Sequence, residues 1–205
     1  MTSDNKIYGL VACGGQSSRM GTDKSLLNYH GKPQRYYLYD VLSTLCERIF
    51  ISCNDQQAKE IPAEYDVIID SEKYQQIGPM GGLLSAFEKY PGASFLVIGC
   101  DYPFIQKSDL ARLLEANNDS LAITYYNDYE QIREPLIGFY KSGCYDLLKK
   151  QFEQDDYSLN HFLKEINAST IIPASPKTIQ SVDTHEGYQK AFHEINQQKS
   201  LKFEP

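Results

Sequence analysis

The sequence predicts a three-layer α/β domain, a mostly parallel sheet with an antiparallel edge and helices on both faces. Three observations carry this. Short runs that are apolar throughout recur along the chain, the mark of strands buried on both sides. Stretches with apolar residues at helical spacing separate them. Glycines, prolines and small polar residues stand at the junctions.

Residues 6–13 form the first predicted strand, stopped by Gly14-Gly15. A helix over 33–47 follows from the spacing of Tyr36, Leu38, Val41, Leu42 and Leu45, with Pro33 where a helix start tolerates it. Strands are predicted at 48–53 and 66–70, a helix at 80–90, the most apolar strand at 94–100, and a helix at 108–117. Strands at 121–126 and 136–140 precede helices at 143–154 and 159–167. Short strands at 170–173 and 178–182 lead to a last helix from Thr184. At 205 residues this is one ordinary domain, assigned to 1–196, with the polar stretch 197–205 read as a loose tail.

The longest apolar runs, such as Phe95-Leu96-Val97-Ile98, fall far short of the roughly 20 residues a bilayer span needs. The polar start of the chain carries no secretory signal, so neither a membrane nor an exported protein is expected. A net charge of -7 argues against broad binding to nucleic acid, which needs a basic face. An anionic ligand must then be held by local positive groups or a metal ion. The five cysteines are odd in number, widely spaced and without Cys-x-x-Cys, which fits a reducing cytoplasm rather than a disulfide framework or zinc finger.

Chemistry gathers first in residues 14–32, too long for an ordinary strand-to-helix link. Gly14, Gly15 and Gly21 let the backbone turn tightly and present N–H groups, while Arg19 and Lys24 add charge. Backbone donors with two cations suit a triphosphate. On glycines alone, a plain surface loop is an equal alternative. The spacing matches neither the P-loop nor the dinucleotide fingerprint.

Polar residues also follow the next three predicted strands at their carboxyl ends: Asn54, Asp70 and Asp101. Open α/β sheets place their ligand crevice at that edge. Each has a plainer reading, Asn54 and Asp70 in turns and Asp101 in the bend before Pro103. Asp101 is the most telling, because an ionised carboxylate beyond so apolar a strand needs partners. Magnesium is the natural one if a triphosphate lies nearby. Asp183 is a second candidate ligand, although Asp183 and Glu186 also have capping-box spacing ahead of the last helix. Gly78 and Gly82 open a helix and would bare a surface to a base or ribose, or simply serve a helix start.

The stretch Ala12-Cys13-Gly14-Gly15, then Arg19-Met20-Gly21 and Asp23-Lys24, resembles the signature loop of molybdenum cofactor guanylyltransferases and related nucleotidyltransferases. Gly78-Pro79-Met80-Gly81-Gly82, Gly99-Cys100-Asp101-Tyr102-Pro103-Phe104, Glu134-Pro135-Leu136 and Ser181-Val182-Asp183-Thr184 are similar to later motifs of that family, in order. The resemblance implies a Rossmann-like nucleotidyltransferase fold whose N-terminal half binds nucleotide and C-terminal half the acceptor. It implies transfer of GMP from GTP to molybdopterin with release of pyrophosphate, using Mg2+. Carried over residue by residue, the backbone at Ala12, Cys13 and Gly14 and the side chain of Lys24 contact the nucleotide, Asn54 and Asp70 meet base and ribose, and Asp101 binds the metal. The expected protein is a cytoplasmic monomer or weak oligomer in transient contact with other molybdenum cofactor proteins.

A phosphate monoester needs no strong base to attack the α-phosphorus, so positioning and charge carry the rate, with Arg19, Lys24 and Asp101 as the catalytic set. Tyr125, Tyr126, Tyr129, Tyr140, Tyr145 and Tyr157 could stack on a pterin, but such tyrosines more often pack. Asp183 stands where cytidylyl-transferring relatives often have aspartate, whereas Gly14 favours the larger purine. A cytidylyl or sugar nucleotidyltransferase, and a nucleotide-binding module without catalysis, are the alternative readings.

Overall fold

The computed structural model describes residues 6–13 and 23–201. The predicted Gly14, Gly15 and Arg19 lie outside the described residues.

Seven strands form one sheet: β1 (Ile7–Ala12), β2 (Arg48–Cys53), β3 (Val67–Ile69), β4 (Ser94–Gly99), β5 (Ala122–Asn127), β6 (Ile132–Tyr140) and β7 (Ser169–Ile171). Their order is β3-β2-β1-β4-β6-β5-β7. β1 to β4 run parallel, so their carboxyl ends share one rim. The antiparallel pairings belong to β6, which lies between β4 and β5, while β7 is parallel to β5.

The helices are α1 (Gln34–Ser43), α2 (Asp55–Glu60), α3 (Pro79–Lys89), α4 (Lys107–Glu115), α5 (Cys144–Phe152), α6 (Leu159–Glu165) and α7 (His185–Leu201). Strand alternation divides the core. Leu10, Phe50, Phe95 and Val97 face α3, α5 and α6, while Val11, Ile51, Leu96 and Ile98 face α1 and α4. A small third cluster seats Ala191 and Ile195 of α7 on Tyr29 and Val182.

Departures from the predicted elements have local causes. Helix α1 ends at Ser43, where the Leu45 and Cys46 amides both close onto Leu42 C=O and Glu47 N–H joins Ile7 at the sheet. The α2 helix was not predicted; Asn54 and Gln57 start it with a reciprocal cap. β6 begins earlier than predicted and contains Pro135, accommodated beside a register shift opposite Thr124/Tyr125. The strand expected at 178–182 is instead a 3-10 turn, Pro176–Ile179, because Ser175 caps it and Pro176 opens it. Helix α7 runs to Leu201, into the segment read as a loose tail.

Removing core volume from the middle of the sheet should be far more damaging than at its edge. Leu96→Ala, fully buried on β4, is expected to destabilise by roughly 2–5 kcal/mol, and Ile69→Ala, 41% exposed on β3, by under about 1 kcal/mol. Denaturant unfolding of both variants checks the ranking.

Candidate active site

Asp101 stands two residues past the end of β4, after Cys100, and its carboxyl folds back over the strand end. A Cβ on Gly99 would stand 2.6 Å from Asp101 Oδ1, so the missing side chain there makes the room. Asp101 Oδ1 is buried and has no hydrogen-bond partner among the described residues. Burial pushes its pKa up to about 6; the Asp183 charge adds to this, and its own backbone N–H and Lys24 oppose it.

The backbone brings Asp183 to this point: Val182 N–H donates to Asp101 C=O at 2.8 Å. The Asp183 carboxylate pairs with the Lys24 ammonium, 159 residues away in sequence. Lys24, Asp101 and Asp183 therefore meet, as the sequence led us to expect. The capping role considered for Asp183 falls to its neighbour, since Thr184 Oγ1 accepts Gly187 N–H at 3.0 Å and Glu186 pairs with Lys190 at 2.6 Å. Behind Asp101 lies a buried carboxylate not singled out from the sequence. Glu134 accepts from Tyr102 Oη at 2.9 Å and from Asn127 Nδ2 at 3.2 Å.

Beside these charges, on the face covered by α3 and α6, a narrow cleft is lined by Ala12, Ser52, Asp70, Gly78, Gly82, Leu136 and Leu159. Both halves of the chain contribute to it. Gly78 has φ +69°, which favours glycine, and leads into Pro79 at the first turn of α3. Gly82 serves packing as well as openness, because a Cβ would come within 2.2 Å of Ser52 Oγ. Asp70 Oδ1 is buried and has no hydrogen-bond partner among the described residues. Burial raises the Asp70 pKa to about 6, partly offset by the Ser52 hydroxyl that hydrogen-bonds the carboxyl group.

Asn54 and Cys13 also make contacts within the protein. Asn54 does not line the cleft; its Oδ1 accepts Gln57 N–H at 2.9 Å as the cap of α2. The Cys13 side chain lies in the opposite core layer, with Sγ 3.1 Å from Cys100 Sγ, and its N–H is engaged by Ser52 C=O at 3.0 Å. Among the tyrosines considered for a pterin, Tyr125 and Tyr140 are buried and donate to Asp109 and Pro135 carbonyls. Tyr126 is half-buried and donates to Gln131 Oε1, Tyr145 packs near Phe87, and Tyr157 leans on Phe152, while Tyr129 is exposed.

Asp70 holds its proton more tightly folded than unfolded, so ionising it works against the fold. That destabilisation develops as pH rises from near 4 to about 6 and persists above. Asp70→Asn removes the titration. Relative to wild type, the variant is expected to gain stability between pH 4.5 and pH 8, read as thermal midpoints at both values. A difference independent of pH would contradict the assignment.

The family profile described as the MobA-like NTP transferase domain matches residues 9–170. The chain is 34% identical over 188 residues to a molybdenum cofactor biosynthesis bifunctional protein of Synechocystis, covering 91% of this chain but only 54% of that relative. It thus spans about half the length of that protein. It is 26% identical to a probable molybdenum cofactor guanylyltransferase of Flavobacterium johnsoniae, over 76% of this chain and 80% of the relative. The fold is shared with molybdopterin-guanine dinucleotide biosynthesis protein A of Archaeoglobus fulgidus, at TM-score 0.76 and 20% identity, covering 93% and 99% of the two chains. The chain belongs to the MobA-like NTP transferase family and is a nucleotidyltransferase.

Proposed function

We propose that this protein transfers GMP from GTP to molybdopterin and releases pyrophosphate. The observation that carries the reading is the meeting of Lys24, Asp101 and Asp183 beside a cleft walled by Ala12, Asp70, Gly78 and Gly82. The guanylyl and molybdenum cofactor parts are taken from the names of the relatives.

The acceptor's phosphate monoester would attack the α-phosphorus in line, forming one P–O bond as the bond to pyrophosphate breaks. Its second pKa of ~6 leaves it mostly dianionic at neutral pH, so this chain need only position groups and offset charge. Lys24 is the described cation at the centre, and phosphate oxygens would compete with Asp183 for it. Arg19 is proposed as the second cation. Leu136 and Leu159 bring the C-terminal half to the cleft wall, where an acceptor could lie against the nucleotide.

The residues fit magnesium. Asp101 Oδ1 is buried, unpartnered and next to a second carboxylate, which is what a cation would satisfy. Among the described residues no group of three or more side chains is arranged to hold a metal, so phosphate oxygens and water would complete the shell around Asp101 and Asp183. The bound ion would supply charge neutralisation on the phosphates.

Three measurements test this. Pyrophosphate release with molybdopterin as acceptor should be faster with GTP than with CTP; the reverse order would support the cytidylyl reading that an aspartate at 183 suggests. Lys24→Ala is expected to lower turnover by about 10²-fold or more, the scale of losing one preorganised charge. Near-normal turnover would remove Lys24 from the mechanism. Asp101→Asn should abolish most activity and raise the magnesium requirement, whereas unchanged metal dependence would place the ion elsewhere.

A further inference from the structure

We infer that Gln57 is a positioning residue for Lys24, tying the residue that precedes Lys24 to the ends of β1 and β2. The inference rests on reading Lys24 as the cation of nucleotide transfer, and it names how that cation is held in place.

One amide side chain joins three segments. Gln57 Oε1 accepts Asn54 N–H at 3.1 Å, and this, with the backbone of Gln57 donating to Asn54 Oδ1, completes the cap of α2. A cap needs nothing further from the side chain. Yet Gln57 Nε2 donates to Asp23 Oδ2 at 2.8 Å and leans on Cys13 C=O at 3.4 Å. The cap thus fixes the amide, and the amide fixes Asp23.

Asp23 passes that constraint on. Its Oδ1 accepts Ser25 N–H at 2.9 Å and so opens the 3-10 turn Lys24–Leu26. The turn orients the Lys24 backbone, from which the ammonium reaches Asp183 beside Asp101. A buried cation reinforces the carboxylate. Arg35, only 2% exposed, has Nη1 4.0 Å from Asp23 Oδ2, and its Nε and Nη1 have no hydrogen-bond partner. Attraction between opposite charges at that distance helps hold the Asp23 carboxylate in place. Gln57 meets Asp23, and Asp23 meets the turn that carries Lys24, so their effect on chemistry would pass through Lys24.

Gln57→Glu isolates the tie. It keeps side-chain length and the acceptor for Asn54 N–H, but replaces the donor to Asp23 with a repelling oxygen. The expected result is a kcat about tenfold lower with nucleotide KM changed less than about threefold, because Lys24 acts on charge that builds in the transition state. In the ligand-free protein, hydrogen exchange at the Ser25 amide should quicken by about tenfold, while β4 amides keep their protection and show the fold intact. The double variant Asp23→Asn with Gln57→Glu reverses donor and acceptor without changing net charge, and should recover both readouts to within about threefold.

A Gln57→Glu protein with wild-type kcat and wild-type Ser25 exchange would overturn the inference. So would a double variant no better than the single one. Should wild type transfer no nucleotide at all, the proposed function fails, whereas Ser25 exchange still reports whether Gln57 holds the turn that carries Lys24.

Discussion

The arrangement depends on keeping a carboxylate dry at the end of the most buried strand. All six residues of β4 are buried, and the chain leaves it through Asp101, whose Oδ1 finds no partner. An ionised group in such surroundings loses several kcal/mol of hydration unless opposite charge compensates. The fold supplies only part of that compensation, from Lys24, because Asp183 brings like charge with it. Val182 hydrogen-bonds to the Asp101 backbone, Asp183 arrives with it, and Lys24 neutralises the added charge. Glycine at 99 is the steric condition for the whole assembly.

The parallel half of the sheet explains why these groups can meet. Four strands running the same way deliver four chain exits to one rim, and the exits of β2, β3 and β4 carry Asn54, Asp70 and Asp101. Alternation along the strands then sorts their side chains. Ala12 faces the cleft and Cys13 the opposite core layer, so neighbouring positions of one motif do different work. The cleft side is open and lined by glycines. The other side holds Arg35 and the Cys13 and Cys100 thiols in a packed layer.

What was legible in the sequence was what local pattern encodes. The apolar run 48–53 has no helical period and is bounded by charged and polar residues, and β2 occupies those residues. The convergence of Lys24, Asp101 and Asp183 followed from strand ends and a motif. Illegible parts depend on partners distant in sequence. Nothing near Gln57 announces that its amide meets Asp23 and Cys13, and nothing near Glu134 announces Tyr102. Segment 178–182 misled for the opposite reason. It looked like a short strand, but Pro176 and Ser175 set a tight turn, and Val182 N–H then bonded to Asp101 C=O beyond the end of β4 rather than to a sheet edge. At Asp183 the capping-box spacing was real, yet Thr184 was closer to the helix start and took the role.

The unpartnered polar atoms also say how the site stands between stability and function. Asp70 Oδ1, Asp101 Oδ1 and two nitrogens of Arg35 are buried at or beneath one rim. Each such group costs roughly 1–3 kcal/mol, a large sum for a domain whose net stability is about 5–15 kcal/mol. A fold selected only for stability would replace them with apolar side chains. The two carboxylate oxygens beside Lys24 and the cleft suit a surface shaped for groups it must receive: donors for Asp70 and a cation for Asp101. A ligand that meets those needs adds the missing interactions to the folded state alone, so binding energy and folding energy are linked at this rim.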